Sequence, residues 1–287
     1  MQKVLVLGST GLIGHQVFNF LQTTHKYELY NFAFKKPLNE DSVILDARDE
    51  ANYLEAIKAV DPDFIINCIG ILINGANQDV ENAIFLNAYM PHRLAKLATE
   101  MGAKLIHIST DCVFSGNKDT PYTETDSKDG LSNYARTKGL GEIVSGNHLT
   151  LRTSVVGPEL KTDGEELFHW FMNQSGTITG YTKSIWSGVT TLELAKAVES
   201  SIRLNICGLH NVTNNLSITK YELLRLFQKH IKTEISILKS DGIISDKSFK
   251  DTRGLLDYTI PSYDQMVREM VNLIKTERFL YAQYQIK

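Results

Sequence analysis

Apolar and polar positions divide the first half of the chain into strand-like and helix-like segments that alternate. An unbroken apolar run at Val4–Leu7 is typical of a strand buried on both faces. After Leu12 the apolar residues recur at helical spacing. The same patterns predict further strands at Glu28–Phe34, Ser42–Asp46, Phe64–Ile69, Lys104–Ser109 and Leu149–Thr153. They predict helices between these strands, at Glu50–Val60, at Val80–Met101 and around Tyr134. We therefore expect an α/β fold with a doubly wound parallel sheet, covered by helices on both faces.

The regular alternation loosens beyond Gly157-Pro158. The pattern there predicts helices around Glu165–Asn173, Leu192–Leu204 and Lys220–Ile231 and from Tyr263 onward. It predicts strands near Ser184–Val189 and at Thr233–Leu238, followed by an irregular stretch over Asp241–Pro261. We expect residues 1–156 to form a dinucleotide-binding Rossmann domain. Residues 157–287 are expected to form a smaller α/β domain that mainly binds the substrate, with some segments returning to the first sheet.

Three glycines, Gly8, Gly11 and Gly14, recur at every third position between the first strand and the first helix. Glycine permits a positive φ and lets a ligand approach the backbone closely. The start of a helix offers free N–H groups and the positive end of the helix dipole, which together bind phosphate groups. A tight turn without a ligand could contain the same glycines. The strand before them and the helix after them favour a phosphate-binding turn of the Rossmann type.

Composition limits the classes of function that need to be considered. The 287 residues are 43% hydrophobic, and the net charge of −3 does not indicate binding to nucleic acid or to an anionic membrane surface. No apolar run reaches the ~18 residues of a membrane-spanning helix, and we identify no signal peptide. The three cysteines, Cys68, Cys112 and Cys207, lie far apart, so we expect free thiols in a reducing cytoplasm. The eight histidines do not cluster at the spacing of metal ligands, and we expect no metal site.

A second group of candidate residues follows the fifth strand. Its end reads HISTDCVFSG, which places the polar side chains of Ser109, Thr110 and Asp111 at the carboxyl edge of the predicted sheet. The next helix carries Tyr134 and Lys138, which are four residues apart and therefore share one face. A solvated surface pair would have the same spacing, but the position of this helix favours a catalytic pair. Gly139 and Gly141 weaken the same helix, and a close backbone contact would explain them.

Six motifs occur in one order between Gly8 and Glu159: GSTGLIG, INCIGI, FLNAYMPHRLA, HISTDCVFSG, YARTKGLGE and LRTSVVGPE. In these motifs the chain resembles the extended short-chain dehydrogenase/reductase family, and most closely its dTDP-4-dehydrorhamnose reductase group. The Ser-Thr-Asp-x-Val-Phe run points to that group. The resemblance implies an oxidoreductase that uses NAD(P)H to reduce a nucleotide-linked 4-keto-6-deoxy sugar in cell-surface polysaccharide biosynthesis.

The resemblance also implies a catalytic trio of Thr110, Tyr134 and Lys138. Reduction of a ketone requires a hydride on carbon and a proton on oxygen, and a tyrosine with a pKa near ~10 carries that proton at neutral pH. A neighbouring ammonium group stabilises the phenolate that the tyrosine becomes. Thr110 is expected to donate a second hydrogen bond to the carbonyl oxygen, where negative charge develops. By the same resemblance, Asn87 belongs to the polar network behind the trio.

The cofactor is expected to be a nicotinamide dinucleotide, because one such molecule suits both the glycine turn and the hydride transfer. The residues expected to contact it at the turn, at the fourth strand and at the active site are Gly8, Thr10, Gly11, Leu12, Ile13, Gly14, Asn67, Gly70, Tyr134 and Lys138. The second strand ends in Lys35 and Lys36, where an NAD-binding protein has an acidic residue. These cations suit a 2′-phosphate, so we expect NADP(H) in preference to NAD(H). Asp46 corresponds to the family position that meets the adenine ring.

The substrate is expected to be a nucleotide-diphosphate sugar. Asp111 and Cys112 follow Thr110 and should face the sugar, although the family usually has tyrosine at the position of Cys112. Trp186 lies near a loop expected to frame the sugar pocket, and a plain core tryptophan would look the same. The stretch DKSFKDTRG offers Lys247, Lys250 and Arg253 for the two diphosphate charges, and Arg253 is the preferred candidate.

Several alternatives remain open at this point. The family often has an Ala-Arg-Pro run that this chain lacks, so a UDP-linked 4-keto-6-deoxy-N-acetylhexosamine is an alternative substrate. An epimerase or dehydratase of the same fold would keep its cofactor bound throughout the reaction. A non-catalytic NADP-binding regulatory subunit is the alternative that involves no reaction. We expect a cytoplasmic protein without nucleic-acid or membrane partners, and a homodimer stays open as its oligomeric state.

Overall fold

Twelve strands and ten α-helices are described in the computed structural model, which covers residues 1–231 and 234–286. The strands are β1 (Gln2–Leu7), β2 (Tyr27–Ala33), β3 (Val43–Ile44), β4 (Phe64–Asn67), β5 (Lys104–Thr110), β6 (Leu149–Thr153), β7 (Val155–Val156), β8 (Thr177–Trp186), β9 (Val189–Thr190), β10 (Gly208–Asn211), β11 (Ile218–Thr219) and β12 (Ser236–Asp246). The helices are α1 (Gly14–Thr24), α2 (Glu50–Val60), α3 (Ile73–Gln78), α4 (Val80–Ala83), α5 (Met90–Met101), α6 (Asn133–Leu140), α7 (Leu167–Met172), α8 (Thr191–Arg203), α9 (Lys220–Ile231) and α10 (Tyr263–Thr276).

The main sheet has seven strands in the order β10-β6-β5-β4-β1-β2-β3, and every pair in it is parallel. The order runs outward in both directions from the β1–β4 pair, which is the doubly wound arrangement expected from the alternating segments. Two smaller sheets, β11-β8-β12 and β7-β9, come from the second half of the chain. The predicted α/β class and Rossmann architecture are therefore confirmed.

Alternate residues of the central strands supply two separate cores. In β1, Val4 and Val6 pack with α1, α8, α9 and α10, whereas Leu5 and Leu7 pack with α2 and α5 on the other face. All four side chains are fully buried. Burial of one such side chain contributes about 1.5–3 kcal/mol, so both faces of the sheet must be covered for the strand to be stable. This explains why the strand lacks the polar alternation of a half-exposed sheet.

The second half of the chain contributes to the main sheet as well as to the smaller sheets. Strand β10 pairs with β6, and helix α8 packs against α1. The proposed division into residues 1–156 and 157–287 stays a prediction, and these two elements of the second half lie on the first sheet. None of the helices in the described residues has the length and apolar character needed to cross a membrane.

Several regions differ from the sequence prediction, among them β10 and α3, which were not predicted. The helix expected over Val80–Met101 is interrupted by a π-helical segment, Ile84–Tyr89, before α5 begins. Pro91 lies in the first turn of α5, where its missing N–H costs nothing. Strand β12 runs to Asp246, within the stretch expected to be irregular, because it pairs with β8 over Ser236–Ser240 and, after a register shift, over Ile244–Asp246. Thr233, the start of the predicted strand there, lies outside the described residues.

Candidate active site

The glycine turn between β1 and α1 has the tight geometry that the sequence predicted. Gly8 has a φ of +75°, and its N–H donates to the carbonyl oxygen of Phe32 in β2 at 3.0 Å. A Cβ at Gly11 would lie 3.2 Å from the Gly8 carbonyl oxygen, and a Cβ at Gly14 would overlap the same atom. The backbone of the turn therefore excludes a side chain at position 14 and leaves little space for one at position 11.

The first turn of α1 is open to an anion. Ile13 precedes the helix without a capping side-chain hydrogen bond, and the first turn has no acidic residue. Within the described residues, no acceptor is found for the backbone N–H groups of Leu12, Ile13 and Gly14. Thr10 lies beside them in the same turn and is partly buried. Unpaired N–H groups at a helix start are the usual donors to phosphate oxygens, so the turn suits a pyrophosphate.

Positively charged side chains lie near the end of β2. Lys35 and Lys36 are exposed, and the Lys35 Nζ lies 5.1 Å from the centre of the Phe34 ring. Arg48 lies over the same ring at 5.6 Å, and its Nε donates to the Asp46 carboxylate at 3.0 Å. This hydrogen bond holds the pKa of Asp46 below its usual value. The sequence did not identify Arg48 as a site residue. Its position over Phe34 depends on how the end of β2 packs against the segment that follows β3.

Thr110 and Tyr134 meet beyond the carboxyl end of β5. The Thr110 hydroxyl donates to Asp111 Oδ1 at 3.2 Å and accepts from the Cys112 N–H at 3.1 Å. Burial raises the pKa of the Tyr134 phenol, and the neighbouring Cys112 adds to this, while an interaction with the Thr110 hydroxyl lowers it. The net effect is upward, so Tyr134 holds its proton at neutral pH.

Lys138 lies one helical turn beyond Tyr134 and is buried. Its Nζ donates to the backbone carbonyl of Ile108 in β5 at 2.7 Å. Burial lowers the pKa of Lys138 to about 8, and the charge of Glu142 opposes this shift. Gly70 passes close by, since a Cβ at that position would lie 3.8 Å from the Lys138 Nζ. The structure thus brings the end of β4, the end of β5 and helix α6 together at one edge of the sheet.

Asn87 links this site to the segments behind it. Its side chain accepts from the Ile71 N–H at 2.8 Å and donates to the Thr137 hydroxyl at 3.2 Å. A Cβ at Gly141 would overlap the Asn87 carbonyl oxygen, which is the close backbone contact expected of a glycine near the end of α6. The fully buried Asn67 accepts from the Ile69 N–H at 3.1 Å and shapes the loop after β4.

A second set of side chains surrounds Asp111 and Cys112. Trp186 is buried, and its Nε1 donates to the Ser154 hydroxyl at 3.0 Å. Lys220, at the start of α9, places its Nζ 5.5 Å from the centre of the Trp186 ring. Burial raises the pKa of Asp111, whereas the charges of Lys247 and Lys220 lower it.

Glu166 completes this set. Burial raises the pKa of its carboxyl group to about 7, while a hydrogen bond from the Phe168 N–H lowers it and the charge of Lys220 also opposes the rise. Lys220 and Glu166 were missed in the sequence. They come from helices far apart in the chain, and no local motif links them to the fifth strand.

Arg253 lies elsewhere in the structure. Its guanidinium donates to the backbone carbonyl of Cys207 at 3.0 Å and also to that of Leu209. These residues stand at the beginning of β10, which pairs with the beginning of β6. The preferred diphosphate candidate is therefore not brought to the carboxyl edge where the other candidates meet. Lys247, in the same stretch, is brought there.

Similarity to known proteins identifies the family of this chain. The model of the family described as "RmlD substrate binding domain" matches residues 1–239. The chain belongs to this family. The dTDP-4-dehydrorhamnose reductase of Shigella flexneri is 41% identical over 159 residues, which are 54% of this chain. The match spans only about half, 51%, of that reductase.

One further relative and one solved structure align with more of this family member. Methionine adenosyltransferase 2 subunit beta of Rattus norvegicus is 29% identical over 241 residues, which are 77% of this chain and 70% of that protein. The crystal structure of dTDP-4-dehydrorhamnose reductase from Bacillus anthracis str. Ames in complex with NADP superposes with a TM-score of 0.82. That alignment covers 96% of this chain and 100% of the other at 21% identity, and it shows that the two share a fold.

Proposed function

We propose that this RmlD-family protein is an NADPH-dependent reductase of a nucleotide-linked 4-keto-6-deoxy sugar, serving cell-surface polysaccharide synthesis. The observation that carries the proposal is the meeting of Thr110, Tyr134 and Lys138 at the same sheet edge as the glycine turn. The Shigella relative is named for this type of reaction, and the Bacillus anthracis protein of the same fold was solved with NADP.

The residues present fit a dinucleotide. The unpaired N–H groups of Leu12, Ile13 and Gly14 would hold its pyrophosphate. Lys35 and Lys36, which stand where an NAD-binding protein has an acidic residue, would hold a 2′-phosphate together with Arg48. When bound, NADPH supplies the hydride for the substrate carbon.

The Thr110, Tyr134 and Lys138 side chains supply the proton for the carbonyl oxygen and stabilise the charges that develop during its transfer. Tyr134 keeps its proton at neutral pH because burial raises the pKa of the phenol, so it can donate that proton to the carbonyl oxygen of the substrate. Thr110 donates a second hydrogen bond to this oxygen as negative charge develops on it. Lys138, held by the Ile108 carbonyl, provides a nearby ammonium that stabilises the phenolate. Asn87 braces the helix that carries Tyr134 and Lys138 through Thr137.

The substrate would occupy the space bounded by Asp111, Cys112 and Trp186. Lys220 and Lys247 are the cations whose charges reach Asp111, and we assign the diphosphate group to them instead of to Arg253. A dTDP-linked sugar and a UDP-linked N-acetylhexosamine share this diphosphate chemistry. An assay with both classes of 4-keto sugar decides between them.

Replacement of Tyr134 by phenylalanine tests the proposed reaction. The purified protein should oxidise NADPH when it is given a dTDP- or UDP-linked 4-keto-6-deoxy sugar. The loss of absorbance of the reduced cofactor measures this reaction. Tyr134→Phe should lower kcat by at least about 100-fold, the lower end of the contribution of a general acid. Tyr30→Phe is the matched control, because its hydroxyl bonds Glu28 in β2. Equal activity of the Tyr134→Phe variant and the control would reject Tyr134 as the acid.

A binding subunit without activity is the second candidate function, and the similarity to the rat subunit over 241 residues favours it. Such a subunit would bind NADPH and leave it unchanged with every 4-keto sugar offered. NADPH binding measured by fluorescence, together with turnover measured on the same sample, separates the two functions. An epimerase or dehydratase would instead purify with its nucleotide bound and need none added. A cytoplasmic location and a homodimer stay predictions, and light scattering on the purified protein tests the dimer.

A further inference from the structure

Three potential metal ligands that are far apart in the sequence converge beside the edge strand β10. Glu124 follows β5, His210 lies within β10, and Asp251 follows β12. One ligand atom from each residue lies within 4.8 Å of those of the other two. Within the described residues, these three side chains form the group of potential ligands that lie closely enough together to hold a metal ion.

His210 is the feature of this cluster that points to a ligand. Its side chain is 0% exposed, and neither ring nitrogen has a hydrogen-bond partner among the described residues. Asp251 Oδ1 lies 3.6 Å from Nδ1, beyond hydrogen-bond distance. A buried imidazole without partners is costly, because each unpaired polar atom has lost its hydration. A metal ion would remove this cost for one of the two nitrogens by accepting its lone pair.

We infer that Glu124, His210 and Asp251 bind a divalent transition-metal ion such as Zn²⁺. The site is separate from the proposed catalytic residues, and the inference does not depend on the reductase function. One imidazole nitrogen and two carboxylates form a donor set that suits Zn²⁺ better than Mg²⁺, which prefers oxygen ligands. Ligand atoms around Zn²⁺ lie about 3–4 Å apart, so small side-chain rotations close the shell.

The surroundings of the cluster orient its carboxylates. Glu124 accepts from the Asn211 N–H at 3.1 Å and from the Thr252 hydroxyl at 2.6 Å. Asp251 Oδ1 accepts from the N–H groups of Arg253 and Gly254 at 2.8 and 3.0 Å. Such outer hydrogen bonds are typical of metal ligands, because they fix the direction of the oxygen lone pairs.

The Glu124 and Asp251 carboxylates and the Arg253 guanidinium are the charged groups that act on His210. A bound cation would also offset the charges of the two carboxylates.

The position of the cluster gives the metal a structural role. It joins the loop after β5, the edge strand β10 and the segment after β12, and that last segment also carries Lys247. A metal bound to all three would fasten this segment to the main sheet. Because the ion binds only the folded arrangement, its binding should raise the stability of the protein.

Metal content and thermal stability test the inference. The full chain is stripped with a chelator, incubated with Zn²⁺, Mn²⁺ or Mg²⁺, freed of unbound ions by gel filtration and analysed by mass spectrometry for metals. We expect about one Zn²⁺ per chain and an increase of several degrees in the midpoint of thermal unfolding. Both effects should be lost in His210→Asn. Binding of Mg²⁺ as tightly as Zn²⁺ would contradict the assignment of a nitrogen ligand.

Three variants keep the test specific. Asp251→Asn retains the oxygen that accepts from the two backbone N–H groups, so it should fold and bind Zn²⁺ at least tenfold more weakly. His25→Asn, at an exposed helix end, and Cys207→Ser, which removes the exposed thiol, should bind Zn²⁺ as the wild type does. Absence of Zn²⁺ from the wild type, or binding in both His210→Asn and Asp251→Asn that is as tight as in the wild type, would overturn the inference. Loss of binding in Cys207→Ser would assign the metal to the thiol.

Discussion

Replacement of Glu142 by glutamine should destabilise the protein strongly, because it breaks a buried ion pair behind the candidate active site. The side chains of Glu142 and Arg152 are each only 1% exposed. The two Glu142 oxygens accept from the Arg152 Nε at 2.9 Å and its Nη2 at 2.8 Å. The Ser109 hydroxyl donates to the same carboxylate at 2.7 Å, and the Lys128 Nζ lies 3.3 Å away.

The expected loss of stability comes from the Arg152 charge, which stays buried after the substitution. Burial alone would raise the pKa of Glu142, but the hydrogen bond and charge of Arg152 outweigh it and hold this pKa below its usual value. The carboxylate is therefore charged at neutral pH, and its replacement leaves the Arg152 guanidinium buried without a counter-ion. Loss of one partner of a buried pair costs about 3–5 kcal/mol. In a chain of this length, about 3 kcal/mol corresponds to a fall of roughly 5 °C in Tm.

Unfolding in guanidinium chloride, followed by circular dichroism, measures this loss. Glu55→Gln is the matched control, because it breaks the exposed Lys58–Glu55 pair, which should be worth no more than about 1 kcal/mol. The folded pKa of Glu142 is lowered, so its stabilisation is present above its ordinary pKa of 4.5 and is lost as the pH falls. The difference between wild type and Glu142→Gln should therefore shrink below this pH. A difference no larger than that of the control at pH 7 would refute the reasoning.

Three further predictions concern the proposed reductase. The value of kcat/KM should fall as the pH rises through about 8, because the Lys138 ammonium then loses its proton, and Lys138→Arg should move this fall to higher pH in a pH–rate profile. Lys35→Ala combined with Lys36→Ala should raise KM for NADPH at least about tenfold and leave KM for NADH unchanged in initial-rate assays, because only NADPH has the 2′-phosphate. Gly14→Ala should weaken NADPH binding at least about tenfold in a fluorescence titration, because its Cβ would overlap the Gly8 carbonyl and distort the turn.

Each of these predictions has an outcome that contradicts it. A pH profile that stays flat to pH 10 would show that the Lys138 charge is not required. Equal changes in KM for the two cofactors would exclude a 2′-phosphate site at Lys35 and Lys36. Wild-type NADPH affinity in Gly14→Ala would show that the turn does not bind the pyrophosphate. For that variant, Gly102→Ala serves as the stability control, because Gly102 has a positive φ at the end of α5, away from the turn.

Local patterns in the sequence were sufficient to predict the architecture. The periods of strands and helices are local properties, so the alternation that predicts a parallel sheet is visible without any contact information. The glycine turn is also local, since Gly8 and Gly14 lie within one strand–turn–helix unit. Tyr134 and Lys138 share a face because of the helical repeat alone. The sequence-based roles of these residues stay predictions, whereas the fold and the family are confirmed.

Contacts between segments that are distant in the sequence could not be predicted from local patterns and are seen only in the tertiary structure. The interruption of the predicted helix at Ile84–Tyr89 accompanies a hydrogen bond from Ile71 to Asn87, which no periodicity reveals. The extension of β12 depends on its pairing with β8. Arg253 was expected to bind the diphosphate because of its residue type, but its chain segment places it at the start of β10.

The sequence by itself determined the alternation of strands and helices over residues 1–156, the Rossmann class and the candidate turn and helix, because each depends on residues within about one helical turn or one strand of each other. It did not reveal the edge strand β10 or helix α3. Only the tertiary structure brought Lys220 to Trp186, buried Glu142 against Arg152 and gathered Glu124, His210 and Asp251. The physical reason is that such contacts arise from the packing of whole elements. A side chain in one element has no fixed spacing in the sequence from its partner in another.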